Sequence, residues 1–452
     1  MKYRFLAAVV FAFLAVAAPV APAPAQSNVP TFEEAMNAFN YGDNELAARH
    51  FMRLAGEGDA RAQYFLAYMM GSGLGMGKDA FNAAAWYEKS AKQDYLPAMV
   101  YMGYILSAGE GTARDDKKAF KWYTRAAQMG DAIAQNNLAT MLRNGKPYTK
   151  DLKLAAQWFL QSAMQGNMRA QYNLATMYRK GDGIRVNMPE AMKWYTYAAN
   201  QGDMYAQNAL GYMYYKGEGV EKQDLAMSLE WYRRAAEQGH KPSQMALARM
   251  YERGEASEGK RDYENAAIWY FHAADKGDES AMYALGRLYM LGTTAEGKGL
   301  PKDAKSACEW YRKAAEEKNH LPSMVKLGWC YKTGEGVKKL DASKATMWYQ
   351  RAADAGDAEA MLEMADMYAT GLNGSKSPQQ AYRWYLLAQK YATGAEAEEA
   401  RAAAVAARTR LGQVLTPQER EQAKSEAENW RPYVMPIYGR PAEPEKPLYS
   451  EE

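Results

Sequence analysis

The sequence predicts an all-α chain: a right-handed α-solenoid of about ten antiparallel helix hairpins, 36–42 residues each, closed by helices at its carboxyl end. Three observations predict it. Tryptophans recur with a nearly fixed period. Small and aromatic residues around them repeat at helical spacing. A short polar residue stands seven positions before each of these tryptophans. Self-similarity at a period of 20–50 residues marks a solenoid or a propeller, and the helical content of each period selects the solenoid.

The elements follow in chain order. Lys2 and Arg4 precede an unbroken apolar run, Phe5 to Ala18, and then a Pro/Ala stretch ending Ala23-Pro24-Ala25. This order of positive, apolar and small residues predicts a secretory leader over residues 1–25, cleaved near Ala25, and a linker over 26–30. The run is shorter than the ~20 residues a membrane-spanning helix needs. A periplasmic or secreted chain without a stable membrane span is expected. Loss of the leader removes Lys2 and Arg4, leaving 54 Lys+Arg against 53 Asp+Glu. So balanced a charge gives no electrostatic case for nucleic acid or anionic lipid.

The repeat array is expected over residues 31–393. Trp86, Trp122, Trp158 and Trp194 are 36 residues apart, and Trp231, Trp269, Trp310, Trp348 and Trp384 follow at 37, 38, 41, 38 and 36. Tyr follows each Trp, except Phe159. A second anchor is apolar-small-x-x-Tyr, as in Leu174-Ala175…Tyr178 and Leu327-Gly328…Tyr331, the i, i+1, i+4 pattern of one helix face. Helix A carries this anchor and helix B the Trp-Tyr pair. Asp79, Asp115, Asp151, Asn187, Asp224, Asp262, Asp303, Asp341 and Ser377 are placed to cap helix B. Gly130-Asp131, Gly166-Asn167 and Gly202-Asp203 are placed to end one helix B and start the next helix A. Gly-x-Gly loops such as Gly217-Glu218-Gly219 join A to B and are assigned to turn chemistry. The first hairpin, from Thr31, has His50-Phe51 in place of Trp-Tyr and is expected to cap the amino end. C-terminal capping helices are expected over 394–430, the last opened by Thr416-Pro417. Residues 431–452 hold five prolines and predict a disordered tail.

Leu327-Gly328, Tyr331, Gly334-Glu335-Gly336-Val337, Asp341, Lys344-Ala345, Trp348-Tyr349 and Ala352-Ala353 form a motif that resembles the Sel-one-like repeat, a relative of the tetratricopeptide repeat. The resemblance covers most of the chain. It implies a non-catalytic adaptor that binds a protein or extended peptide. For bacterial secreted members it implies roles in envelope assembly, exopolysaccharide regulation or host contact. The alternative is a peptidoglycan- or glycan-binding envelope protein, and a remote one is an enzyme acting on β-lactams. A cysteine-rich branch of the family is linked to penicillin binding, but its paired cysteine in each repeat is absent here.

Catalytic constellations are not found. His50, His240, His272 and His320 share no metal-ligand spacing, and Cys308 and Cys330 form no C-x-x-C motif. No cofactor and no metal are expected, nor is an enzyme. Cys330 occupies the helix A slot filled by Met213 and Leu288 in other repeats, and buried thiols are ordinary core residues. Two free thiols are therefore favoured, although the expected compartment permits a disulfide. The tyrosines beside the tryptophans, with Met141, Met177, Met213, Met250 and Met367, are assigned to packing.

By analogy with tetratricopeptide proteins, helix A lines a concave groove. Its outward residues then lie two before, two after and five after the Leu anchor. The candidate partner-binding residues at these positions are Asn136, Arg143, Tyr172, Arg179, Asn208, Tyr212, Tyr215, Arg249, Tyr283, Arg287 and Trp329. Amides suit a peptide backbone, arginines a carboxylate and rings the side chains. Arg143 and Arg179 share a repeat position with no acidic residue at the outward positions of their two repeats, so they are expected to be unpaired and to favour an anionic ligand group. A monomer is expected.

Overall fold

A computed structural model describes residues 30–257, 259–292, 299–392 and 398–433. The leader, most of the linker, most of the tail and part of the Gly292–Asp303 loop lie outside these residues. Among the described residues there are 22 helices and no strand. The chain divides into two compact units at Lys150/Asp151.

In the first unit, α1 (Phe32–Asn40) pairs with α2 (Asn44–Gly56), α3 (Ala60–Ser72) with α4 (Ala80–Lys92), and α5 (Leu96–Ala108) with α6 (Asp116–Gln128), before α7 (Ala132–Asn144). The second unit opens with α8 (Leu152–Met164). Its hairpins are α9 (Met168–Lys180) with α10 (Met188–Asn200), α11 (Met204–Lys216) with α12 (Leu225–Glu237), and α13 (Lys241–Arg253) with α14 (Tyr263–Asp275). They continue with α15 (Glu279–Leu291) and α16 (Ala304–Lys318), α17 (Leu321–Thr333) and α18 (Ala342–Asp354), and α19 (Ala358–Thr370) and α20 (Pro378–Tyr391). Within each unit, helices pack chiefly on their neighbours in sequence, as in an α-solenoid. A 13-residue helix is about 20 Å long, so each hairpin is a short, regular brick.

The helix ends are set by side chains. Asp79 accepts the backbone N–H of Asn82 at 3.0 Å, Asp115 that of Lys118 at 2.9 Å and Asp341 that of Lys344 at 3.0 Å. The same capping residues donate their own N–H back to helix A, Asp79 to the Met70 carbonyl and Asp341 to that of Tyr331, both at 2.9 Å. One residue therefore starts helix B and pins it to helix A. Tyr95, His240 and His320 stand where other helix A segments have Asp or Asn, and each is followed by proline within the first turn, where the fixed φ preorganises the helix.

The Gly-x-Gly loops do more than turn. Their first glycine ends helix A in the left-handed region, as Gly217 does with φ +74°. Their second packs on the preceding repeat: a Cβ on Gly111 would stand 2.2 Å from the carbonyl oxygen of Ala80, and one on Gly336 2.1 Å from that of Ala304. Both carbonyls belong to the first residue of the previous helix B. Each loop is thus fitted against the hairpin before it.

The core is built from Ala on helix B, the Leu anchor of helix A and the ring after each Trp. Phe159, Tyr195, Tyr232, Tyr311 and Tyr349 are all buried. Where the small anchor residue is glycine, the ring presses on it: a Cβ on Gly211 would lie 2.7 Å from Tyr232, and one on Gly286 2.5 Å from Tyr311. Met141, Met177, Met213, Met250 and Met367 are buried too.

A ladder of glutamines joins successive repeats. Gln63, Gln171 and Gln207 are buried, and each donates its amide to the helix B carbonyl just before it: Ala55, Ala163 and Ala199, at 3.1–3.2 Å. Each oxygen accepts from a glutamine at the end of helix B of its own hairpin, Gln93, Gln201 or Gln238, at 2.7–2.8 Å. Gln244 makes the first bond, to the Ala236 carbonyl at 3.0 Å, but its oxygen is buried and unpartnered. The residue due to complete this rung is Lys276, whose ammonium instead donates to the Gly239 carbonyl at 2.7 Å.

The cysteines correct the expectation of free thiols. Cys308 of α16 and Cys330 of α17 form a disulfide, with Cα atoms 6.3 Å apart. The apolar slot of Cys330 is fully buried, as its repeat position requires. That slot faces the start of the preceding helix B, because antiparallel packing sets the end of α17 beside the beginning of α16. Burial, the ground for expecting a free thiol, is what brings the two sulfurs together.

At the amino end Thr31 and Glu34 form a reciprocal capping box, and Phe32, Phe39, Phe51 and Phe65 cluster with ring centroids 5.3–6.4 Å apart. At the other end α21 (Glu398–Gly412) and α22 (Pro417–Asn429) both pack on α20. Trp430 meets Tyr391 edge-on at 5.2 Å. Arg431–Tyr433, assigned from sequence to the tail, lies against the α18–α19 turn, where the Tyr433 N–H donates to the Asp354 carbonyl at 2.6 Å.

Candidate partner-binding face

In the second unit the candidate face belongs to α9, α11, α13, α15, α17 and α19. Its floor is made by tyrosines from helix B. Each ring is buried in its hairpin while its hydroxyl reaches the outward positions of helix A. The Tyr195 hydroxyl lies 3.0 Å from that of Thr176, Tyr270 donates to Glu252 at 2.8 Å, and Tyr385 donates to Asp366. Burial pushes the Tyr195 hydroxyl up to about 12, although its bond to Thr176 pulls the other way. Burial, reinforced by the Glu252 charge, raises Tyr270 as well.

Charged groups on this face pair between repeats. Arg179 bonds Glu218 at 3.1 Å and lies over the Tyr212 ring at 4.8 Å. This corrects the expectation of an unpaired arginine. Its partner comes from a Gly-x-Gly loop of the next repeat, a position outside the helix register used to search for one. Burial works against the Arg179 charge, but the bond and charge of Glu218 prevail and raise its pKa. Arg287 pairs with Glu252 of the previous repeat. Tyr215 donates to Glu255 at 3.1 Å and accepts from Arg253 at 3.2 Å. Lys332 reaches Glu363 at 2.6 Å. Arg249 differs: it is exposed, and none of its nitrogens makes a salt bridge or hydrogen bond among the described residues.

The remaining candidates fall as follows. Asn208 accepts the Ser243 hydroxyl at 2.9 Å. Tyr172 contacts Tyr195 at 5.7 Å and Tyr205 at 6.2 Å, and Tyr283 contacts Tyr311 at 5.8 Å. Trp329 is half-buried against the α17–α20 core. Asn136 and Arg143 lie on α7 of the first unit; Asn136 is buried, bonding Asn137 at 3.2 Å, and does not face outward, while Arg143 is half-buried. Sequence reasoning missed Tyr205, His240 and His320. His240 stands edge-on to Tyr205 at 5.3 Å, and His320 lies 5.6 Å from Tyr283. The signal available was the departure of both histidines from the Asp/Asn cap pattern. His240 accepts the Ser243 N–H at 3.3 Å. Burial, helped by nearby Lys276, pushes it down to about 4. Among the described residues no cluster of three or more His, Cys, Asp or Glu could hold a metal, and no helix is long and apolar enough to cross a membrane.

A family model for the Sel1 repeat matches nine successive segments, from residues 60–95 through 205–240 to 358–388. The chain belongs to the Sel1 repeat family. Each matched segment opens on a helix A and holds the Trp-Tyr pair of the following helix B, or Trp158-Phe159 in its place. A solved Sel1-like structure is similar across both chains. It is a protective antigen present in uropathogenic Escherichia coli strains, 27% identical, covering 88% of this chain and 84% of that one with a TM-score of 0.67. A Sel1 repeat protein from Oxalobacter formigenes is 28% identical over 53% of this chain and 94% of its own, with a TM-score of 0.48. Chitin synthase regulatory factor 3 of Schizosaccharomyces pombe is 30% identical over 92 residues. That match spans 20% of this Sel1 chain and 10% of the yeast protein.

Proposed function

We propose that this Sel1 protein is a non-catalytic scaffold, exported from the cytoplasm, that holds an extended polypeptide along the helix A face of its second unit. One observation carries the reading. On a face where Arg179, Arg287 and Lys332 are each matched by a carboxylate, Arg249 stands exposed without one. It is flanked in repeat register by Tyr212 and Tyr215 on one side and Arg287 on the other. An exposed guanidinium in repeat register with aromatic positions suits an acidic side chain or a chain-terminal carboxylate. Asn208, Tyr172, Tyr283 and Trp329 supply the amide and rings that hold the rest of an extended chain. In the first unit Asn136 and Arg143 occupy equivalent repeat positions. Export is supported by the leader-like residues 1–25 and by the disulfide, a bond that persists in oxidising compartments. Roles in envelope assembly, exopolysaccharide regulation or host contact belong to this proposal.

Selection of displayed peptides on the full chain tests the binding mode. Acidic or free-carboxylate peptides should be enriched, and Arg249→Ala should weaken their binding by at least tenfold. Failure to select any peptide, together with retention of the purified chain on peptidoglycan sacculi, would overturn the reading in favour of a glycan binder. Fractionation of cells expressing the full chain tests export; a cytosolic, full-length product would contradict it.

A further inference from the structure

The opposite, helix B face of the second unit carries a groove that the repeat pattern does not require. It lies between α8 and α10 with α9 beneath, and has a volume of about 540 Å³. Leu160 and Met164 form one wall, and Trp194 and Tyr197 the other. The repeats serve as internal controls. The position six after the repeat tryptophan is polar or charged in the other eight, from Lys92 to Lys390; here it is Met164. The position three after the tryptophan is basic in six repeats; here it is Tyr197. Four of those basic residues lie over the indole, as Lys89 does over Trp86 at 3.7 Å and Arg234 over Trp231 at 4.7 Å. Tyr197 instead stands edge-on to Trp194 at 5.5 Å. Met164 is 72% and Tyr197 47% exposed. At these two positions one groove has thus exchanged the polar or charged groups of its siblings for Met164 and Tyr197, both open to water, while Lys193 keeps a cation 5.7 Å from the Trp194 ring.

We propose that this groove is a second binding site, which takes an uncharged apolar side chain (leucine, methionine or phenylalanine) from a partner polypeptide. Its charge balance selects that occupant. The two charged groups on the rim, Glu190 and Lys193, pair with each other at 3.4 Å and leave no net charge to attract an ion. The buried amide of the lining has nothing left to offer a sugar. Gln171 already donates to the Ala163 carbonyl and accepts from Gln201, so it is engaged at both ends. An aliphatic wall facing an aromatic one matches a side chain that buries apolar area, and the flexible thioether of Met164 adapts to its shape.

The test is a titration of the full chain labelled at its methionine methyls, with the Met164 resonance assigned from Met164→Leu. N-acetyl-leucinamide and N-acetyl-phenylalaninamide are the side-chain probes, and chitotriose is the sugar probe. The Met164 resonance should shift saturably with an amide while methionines buried elsewhere stay still. The double variant Leu160→Thr, Tyr197→Arg gives this groove the residues of its neighbour between α10 and α12. It should weaken the response at least tenfold without lowering the melting temperature. If it melts early, Tyr197→Arg alone, at a half-exposed position, replaces it. No saturable shift, an undiminished shift in the variant, or a response to chitotriose and not to the amides would each overturn the proposal. The peptide selection on the helix A face is unaffected by any of these outcomes.

Discussion

The glutamine ladder makes a prediction with an internal control. Gln207→Leu keeps the approximate shape of the side chain and removes two hydrogen bonds, to the Ala199 carbonyl at 3.1 Å and from Gln238 at 2.8 Å. Each is worth about 0.5–1.5 kcal/mol. The partners left behind are not stranded, because Ala199 also accepts from Gly202 at 3.0 Å and Gln238 is exposed to water. The expected loss is therefore about 1–2 kcal/mol. Gln244→Leu removes only the bond to Ala236 and also removes a buried acceptor that has no partner. Relief of that acceptor, worth about 1–3 kcal/mol, offsets the lost bond, so this variant should be near neutral. Lys276→Gln should supply the missing donor and stabilise by about 1 kcal/mol, less the exposed bond of Lys276 to Gly239. The bond to the preceding helix B carbonyl is an interface energy between neighbouring repeats, and the glutamine–glutamine bond ties the two helices of one hairpin. Urea midpoints together with amide hydrogen exchange across α11–α14 would measure them. Equal losses for the two leucine variants would refute the idea that the glutamine–glutamine rung ties its hairpin.

Four further outcomes are expected. Replacing Cys308 and Cys330 with serine should cost about 3 kcal/mol, from the 22-residue separation they close; alkylation of the unreduced, unfolded chain at either cysteine, read by mass spectrometry, would contradict the disulfide. His240 is held down to about 4, so its neutral form stabilises the fold above its unfolded pKa near 6.5. That contribution, about 1–3 kcal/mol, should be lost as pH falls from 6.5 through 4; melting curves against pH should show it, and His240→Asn, a cap that does not titrate, should flatten them. Gly211→Ala should destabilise by about 1–3 kcal/mol because its methyl would meet the Tyr232 ring; a melting temperature equal to the parent's would show that the ring can move. Arg249→Ala should change stability by less than about 0.5 kcal/mol, being exposed; a larger loss would reveal a structural role for that guanidinium.

The sequence makes legible whatever repeats within one period. Asp115 and Trp122 stand at a fixed separation, so cap, helix and core face can be read from one repeat and checked in the next. Contacts between periods are harder. Arg179 finds Glu218 39 positions away, on a loop that looks like a turn until its second glycine is seen pressed against the previous hairpin. The glutamines at 63, 171, 207 and 244 do recur at a constant distance after the start of helix A. Nothing in a helical pattern distinguishes such a buried amide from an exposed one. The disulfide was hidden by a sound rule: an apolar slot does hold Cys330, but which residue faces that slot is a property of the neighbouring hairpin. The face of helix A was legible in register; its exposure was not, because Arg179 is covered by Glu218 of a loop that the register does not contain.

The incomplete rung at Gln244 also has a mechanical meaning. A stack of similar bricks under tension yields at its weakest brick, and the hairpin α13–α14 lacks the tie between its two helices that its siblings at Gln171 and Gln207 possess. Further along, the bond between Cys308 and Cys330 is covalent and cannot be drawn out. Force applied along the second unit would therefore part α13 from α14 first and leave α16–α17 fastened. A tethered chain of this design has a built-in place to give way and a clasp that limits how much length is released.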